Sequence, residues 1–305
     1  MKNVCIFLVV ILSFLCMLIF PSETFQGASH GLLLWFQTVL PSLLPFIILS
    51  NVLVQTNALY YISNFLHPFL YPIFRISKPA CYPLFIGFLC GYPMGAKTIA
   101  DCTKKGVITK IEGKYLLSFC NNTSPMFIIS VLLMQNIKVP SISIGTLIIL
   151  IISPILCSFI FRRFYKSDTN YIKLQETSYP KLCFHFHVFD TSILNSFETI
   201  TKIGGYIILF SILFEYGKHF PYLYFLPYLE ISCGIPYIMS WNLPFSITYI
   251  LALSLTTFGG CCSIAQSSAM LQGSGLSIKP YIIQKLITAT VTSLLAFLYV
   301  FFIHR

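Results

Sequence analysis

Charge is what this sequence has least of. Only 9 of its 305 residues are Asp or Glu, and all charged residues together make up 9% of the chain. A soluble domain carries roughly 25%, so the composition is that of an integral membrane protein. Long polar stretches are scarce too. The longest, 162–182, has the length of a loop and leaves no room for a soluble domain. No two cysteines stand in C-x-x-C spacing, and Cys261-Cys262 is a vicinal pair. That argues against a disulfide framework or a zinc site. His185-Phe186-His187 has no further His or Cys at a ligand spacing, so no metal is expected. A Walker A string is absent, so ATP-driven pumping by this chain alone is not expected. No serine or cysteine sits in a nucleophile motif; neither an enzyme nor a cofactor is expected.

What is present is apolar. Hydrophobic residues make up 56% of the chain, and the mean hydropathy is +0.82. Apolar runs recur over 4–20, 31–56, 115–135, 141–161, 192–214, 243–271 and 279–303. A helix needs about 20 residues to cross a ~30 Å hydrocarbon layer. The net charge of +10 does not point to nucleic acid, because the basic residues sit between apolar runs, where the positive-inside rule accounts for them. The first run follows Lys2, exceeds the usual 7–15 residues of a signal-peptide core and has no A-x-A-like site after it. It reads as an uncleaved anchor helix.

The basic clusters set a threading. They are Arg75 and Lys78; Lys97, Lys104, Lys105, Lys110 and Lys114; and Arg162, Arg163, Lys166, Lys173 and Lys181, with weaker markers at Lys2 and His304-Arg305. Placing all of them in the cytoplasm puts both termini there. Helix 31–56 is then bent at Pro41 and Pro45, and 216–232 becomes an outer interfacial segment. Segments 80–106 and 242–275 must each return to their own side. Both are broken internally, at Gly91-Tyr92-Pro93 and at Phe258-Gly259-Gly260, into pieces of the length that re-entrant segments use. Residues 91–124 also match 258–293 in their order of features: Gly break, small-residue half-helix, Gly turn, then a helix entered through Thr109 or Ser277. The expected fold is all-α and polytopic, with two inverted-topology repeats, each carrying a re-entrant helical hairpin. The expected division is an anchor helix over 1–29, a first repeat over 30–161 (hairpin about 80–106, extra helix 141–161), a basic loop over 162–189 and a second repeat over 190–305 (hairpin about 242–275).

Broken helices at membrane depth leave backbone groups that must face protein or a water-filled cavity. Matched breaks in two halves point to a transporter site. The candidates at the first break are Tyr92, Pro93, Gly95 and Lys97; at the second, Phe258, Gly259, Gly260 and Gln266. The bland reading is that the glycines serve only close packing. Asn121, Asn122, Thr123 and Ser124 interrupt an apolar run ahead of Pro125. They face the interior, either as a ligand site or as inter-helix hydrogen bonds. Intramembrane charge is a functional candidate by default, which adds Glu198, Lys202, Glu230 and Lys285 for a charge or ion role. Glu198 and Lys202 also suit a plain i,i+4 pair, and Lys97 suits snorkelling to the surface.

The string "GYPMGAKTIADCTKKGVITKIEGKYLLSFCNNTSPMFII" (91–129) resembles the core motif of the YlbJ-type sporulation integral membrane proteins, part of the wider nucleoside-recognition or Gate-domain set. "LEISCGI" (229–235), "TTFGGCCSIAQ" (256–266) and "YIIQKL" (281–286) fit as well, so the resemblance spans about 30–303. Met94 stands where a small residue is more usual in that family. The resemblance implies a multi-pass cell-membrane protein needed for spore formation, and kinship with nucleoside-transporter architecture, whose hairpins hold substrate. The function expected is a secondary transporter or channel for a small polar solute held between the hairpin tips. The alternative is a non-transporting scaffold for spore-envelope assembly. The partners expected are the lipid bilayer, the solute, a coupling ion and a second copy of the chain.

Overall fold

The computed structural model describes residues 2–56, 58–165, 185–220 and 223–303. Lys166, Lys173 and Lys181 of the basic loop, and His304-Arg305, lie outside them. Among the described residues every regular element is helical. Six helices are long and apolar enough to cross a membrane: Pro21–Gln55, Lys110–Ile137, Pro140–Phe161, Phe186–Gly217, Phe245–Met270 and Ile278–Phe302. The chain is an all-α integral membrane protein.

After α1 (Lys2–Ile19), α2 (Pro21–Leu34) passes through a π-turn at Trp35–Val39 into α3 (Leu40–Gln55). The cause of the widening is local. Pro41 has no N–H for the carbonyl four residues back, and Pro45 repeats the gap one turn later. This long helix has a partner in a second one. Helices α4 (Leu59–Phe74), α5 (Cys81–Cys90), α6 (Met94–Lys104), α7 (Lys110–Cys120), α8 (Pro125–Phe127, widening into a π-helix over Ile128–Ile137) and α9 (Ser143–Phe161) precede that partner, α10 (Phe186–Gly217). Helix α10 runs antiparallel to α2–α3. Thr24 meets Tyr216, Trp35 Nε1 donates to Ile200 O at 2.9 Å, and Gln55 Nε2 donates to Ser192 Oγ at 3.0 Å. Gly27 and Gly31 allow the approach: a Cβ on Gly27 would stand 2.6 Å from Ile212 Cα, and one on Gly31 2.8 Å from Ile208 Cα.

Where the first hairpin is expected, two short helices pack together. α5 and α6 lie against each other, and Gly87 keeps their neighbour close, since a Cβ there would strike the Cys120 carbonyl. Both helices open to one end of the bundle. Ser77, before α5, donates through its N–H (2.7 Å) and hydroxyl (2.8 Å) to the Glu112 carboxylate, just after α6. Thr109 caps α7 by accepting from Glu112 N at 3.1 Å. Lys104, Lys105, Lys110, Arg162 and Arg163 gather at this end.

The second half departs from expectation in three ways. The chain continues as a 3-10 turn (Leu226–Tyr228), α11 (Ile231–Met239), α12 (Phe245–Phe258), α13 (Gly260–Met270) and α14 (Ile278–Ile303). First, 242–275 is not a closed hairpin. α12 and α13 do not pack along each other; α12 lies on α11 and α14, whereas α13 lies on α6 and α10. Tyr249 of α12 bonds Thr146 at the start of α9, far from the lysines. The turn after α13 puts Gly275 beside Lys110, where a Cβ would be 3.0 Å from Nζ. The segment therefore crosses, with a break at Gly259-Gly260. Second, 216–232 does not stay at a surface. It turns inward, Glu230 is buried at 3% exposure, and α11 runs back out; Tyr224 and Trp241, on either side of this excursion, meet edge to face at 6.4 Å. Third, the last helix ends opposite the lysines. Gln284 bonds Tyr165 at one end, while Tyr299 fills the space that a Cβ on Gly145 would take at the other. The C-terminal end of α14 and the Lys104–Lys110 cluster thus lie on opposite sides, which corrects the threading that placed them together. The first and third departures share a cause: a segment that crosses rather than returns reverses everything after it.

Candidate functional site

Breaks in helices orphan N–H and C=O groups, and here the breaks satisfy one another. At the first hairpin tip, Gly91 adopts φ 74°, ψ −165°, and the Tyr92–Pro93 bond is cis. Tyr92 N donates to Asn122 O at 2.6 Å. Ala96 N, in the first turn of α6, donates to Asn121 Oδ1 at 3.1 Å. The Asn121 amide donates in turn to Ser267 Oγ (2.9 Å) on α13 and Tyr281 OH (2.8 Å) on α14. In the second half, Cys262 N donates to Leu229 O at 2.9 Å, and Glu230 caps α11 by accepting from Cys233 N at 2.9 Å. The last carbonyls of α12 take donors from elsewhere: Thr256 O from Thr123 Oγ1 at 2.5 Å, and Thr257 O from Lys285 Nζ at 3.1 Å.

Beside these breaks lies a cavity of about 350 Å³. Of the residues singled out in the sequence, Tyr92, Thr123, Ser124, Gly259, Gln266 and Glu230 line it. Residues that sequence reasoning did not single out add Gln37, Thr38 and Ser42 from one wall, and Ser130 and Gln135 from another. These two groups sit at the two π-helical stretches. A π-turn suits such a wall, because its loosened backbone tolerates membrane depth only against protein or a polar cavity. The available signal was polar residues flanking Pro41 in an otherwise apolar helix. Leu43, Phe127, Ile203 and Ile207 supply apolar surface. Glu230 is the one ionisable side chain with a formal charge among the described lining residues.

The other candidates sit elsewhere. Asn121 (0% exposed) and Lys285 are buried and do not line the cavity, and the half-buried Asn122 accepts from Lys285 Nζ. Pro93, Gly95, Phe258 and Gly260 pack: a Cβ on Gly95 would be 2.9 Å from Asn121 Oδ1, and Phe258 meets Tyr228. Lys97 belongs to a second cavity of about 440 Å³ at the lysine end. There its Nζ donates to Asp101 Oδ2 at 3.0 Å and Asn51 Oδ1 at 3.2 Å. Glu198 and Lys202 pair at 2.5 Å on the rim of that cavity, with side chains 64% and 58% exposed. An exposed i,i+4 pair contributes little. Glu198→Gln and Lys202→Gln are therefore expected to leave the melting temperature of the purified protein unchanged; a fall of several degrees in either would give the pair a structural role. The described cysteines are free thiols, and Cys261 is exposed while Cys262 is buried.

Comparison with known proteins agrees with the resemblance noted in the sequence. Residues 36–155 match the family model described as "Gate: Nucleoside recognition". The chain is 24% identical over 306 residues, covering 88% of itself and 75% of the relative, to "Sporulation integral membrane protein YlbJ" of Bacillus subtilis (strain 168). No solved structure matches.

Proposed function

We propose that this chain is a sporulation-associated secondary transporter or channel that takes a small polar solute into the cavity beside Tyr92 and Glu230. The observation that carries the reading is convergence. One cavity, with polar groups set into a mainly apolar lining, is bounded by the α5–α6 tip, the Asn121–Ser124 break, the Glu230 turn and the Gly259 break, which come from both halves of the chain. A scaffold has no use for a cavity at that crossing. Among the described residues the lining holds amides, hydroxyls and one carboxyl group but no lysine or arginine. It suits a neutral or cationic solute and disfavours an anion.

The same proposal includes an inverted repeat with a new pairing. Pro21–Gln55 corresponds to Phe186–Gly217, the α5–α6 hairpin to the excursion through Leu226–Met239, the broken span 110–137 to the broken span 245–270, and 140–161 to 278–303. Members of each pair run in opposite directions. Two backbone bonds support it: Tyr92 N to Asn122 O ties hairpin tip to broken span in the first half, and Cys262 N to Leu229 O does so in the second. The positive-inside rule puts the lysine end in the cytoplasm.

The test is flux. Proteoliposomes holding the full chain are expected to take up or release at least one member of a panel of labelled neutral and cationic polar solutes, nucleosides included. Gln266→Leu and Thr38→Val, which remove polar groups contributed by different helices, are expected to slow it about tenfold or more, within the ~100-fold that one misplaced contact can cost in an organised site. Retention equal to that of empty liposomes for the whole panel would sink the reading.

A further inference from the structure

Lys285 is the most deeply buried charge-bearing side chain of the described bundle, at 2% exposure. It forms no ion pair among the described residues. Its Nζ donates instead to Thr257 O at 3.1 Å and Asn122 Oδ1 at 2.9 Å. One acceptor is a carbonyl at a helix C-terminus, and the other is the side-chain amide of a residue just past a second one. Thr257 is in the last turn of α12, where the Gly259-Gly260 break removes the N–H that would meet its carbonyl in a continuous helix. Asn122 follows the end of α7, and its amide donates back to Phe119 O in the final turn at 2.6 Å. A helix C-terminus carries about half a negative charge; the ammonium meets one such end directly and the other through the Asn122 amide. In interrupted membrane helices such ends, with their freed carbonyls, coordinate monovalent cations.

We propose that the Lys285 ammonium is a built-in cation, filling from within the chain the place at the two converging helix C-termini that a bound sodium or potassium ion would otherwise take. The two broken spans then stay joined without an ion from solution. The proposal does not depend on whether a solute crosses. It does place any coupling ion of a transport cycle away from this junction.

The experiment uses the full chain purified in detergent and its thermal unfolding in sodium, potassium and N-methylglucamine chlorides at equal ionic strength. The wild-type protein is expected to melt at the same temperature in all three, because no ion from solution binds the folded state at the junction. Lys285→Met, which keeps the length and removes the charge, is expected to melt about 5 °C or more lower. Lys285→Ala is expected to regain about 3 °C or more with n-propylammonium, which restores the lost part of the side chain and its charge, and not with n-propanol. Wild-type stabilisation by sodium that Asn122→Leu abolishes, a methionine variant as stable as wild type, or equal responses of the alanine variant to propanol and propylammonium would each overturn the proposal. Should the alanine variant fail to accumulate, Lys285→Arg decides. It keeps a cation and has to remain as indifferent to sodium as wild type and more stable than methionine; an arginine variant no better than methionine overturns the idea.

Discussion

Asn121→Ala is expected to lower the stability of the protein by about 3–6 kcal/mol, because three buried groups lose a partner at once and each costs about 1–3 kcal/mol when left unmet. They are the Ala96 N–H at the head of α6, the Ser267 hydroxyl on α13 and the Tyr281 hydroxyl on α14. The Tyr281 hydroxyl keeps the Asn121 backbone carbonyl as acceptor, which holds the sum below its upper limit. Asn121 is 0% exposed, so water does not replace it. Against a typical total of about 5–15 kcal/mol, the loss removes much of the folded population. Ser267→Ala is the control. It deletes one bond and leaves the rest of the network, so about 1 kcal/mol is expected. Melting temperatures and folded yield in detergent measure both. Equal losses would mean that Asn121 does not join the two halves.

Gly91→Ala is the second large effect. The backbone there has φ 74° and ψ −165°, a region essentially reserved for glycine, with a cost of about 1–3 kcal/mol for other residues. Space forbids the side chain as well. A Cβ would stand 2.5 Å from Ser124 N and 2.7 Å from Asn122 O, backbone atoms with no rotamer to change. The hairpin tip has to withdraw from the Asn121–Ser124 break, and the bond from Tyr92 N to Asn122 O breaks with it. Gly106→Ala separates the two causes. Gly106 has φ 68° but nothing within 4 Å of a Cβ, so only the conformational cost of about 1–2 kcal/mol applies. Gly91→Ala is expected to melt well below Gly106→Ala; matching values would remove the contact argument.

Much of the site was legible because chemistry at membrane depth is conspicuous. Tyr92-Pro93, Asn121–Ser124 and Gly259 stand out where only apolar helix formers should be, and an interrupted span has to meet protein or water. Tyr92, Thr123, Ser124, Gly259, Gln266 and Glu230 do reach one cavity. Asn121 could be read either as ligand site or as inter-helix bonding; its side chain bonds Ala96 N, Ser267 and Tyr281 on three other helices. Gln37, Thr38, Ser130 and Gln135 were hidden in runs whose average is apolar. Their importance comes from π-turns that let them face a neighbour, and a mean over a window does not carry that information.

The inverted pairing shows the limit more sharply. Residues 91–124 and 258–293 share an order of features, yet α5 and α6 fold together while α12 and α13 do not. A glycine break between two apolar pieces is compatible with turning back and with going on. The sequence by itself determined the class, the breaks and the need to satisfy them, since hydropathy and backbone polarity are local properties. Tertiary structure alone decided which break is a hairpin, that Glu230 turns inward, and which end of the bundle α14 reaches. Those depend on the partner each half-helix finds: α5 finds α6, whereas α13 is drawn away by Asn121 and by α6 and α10.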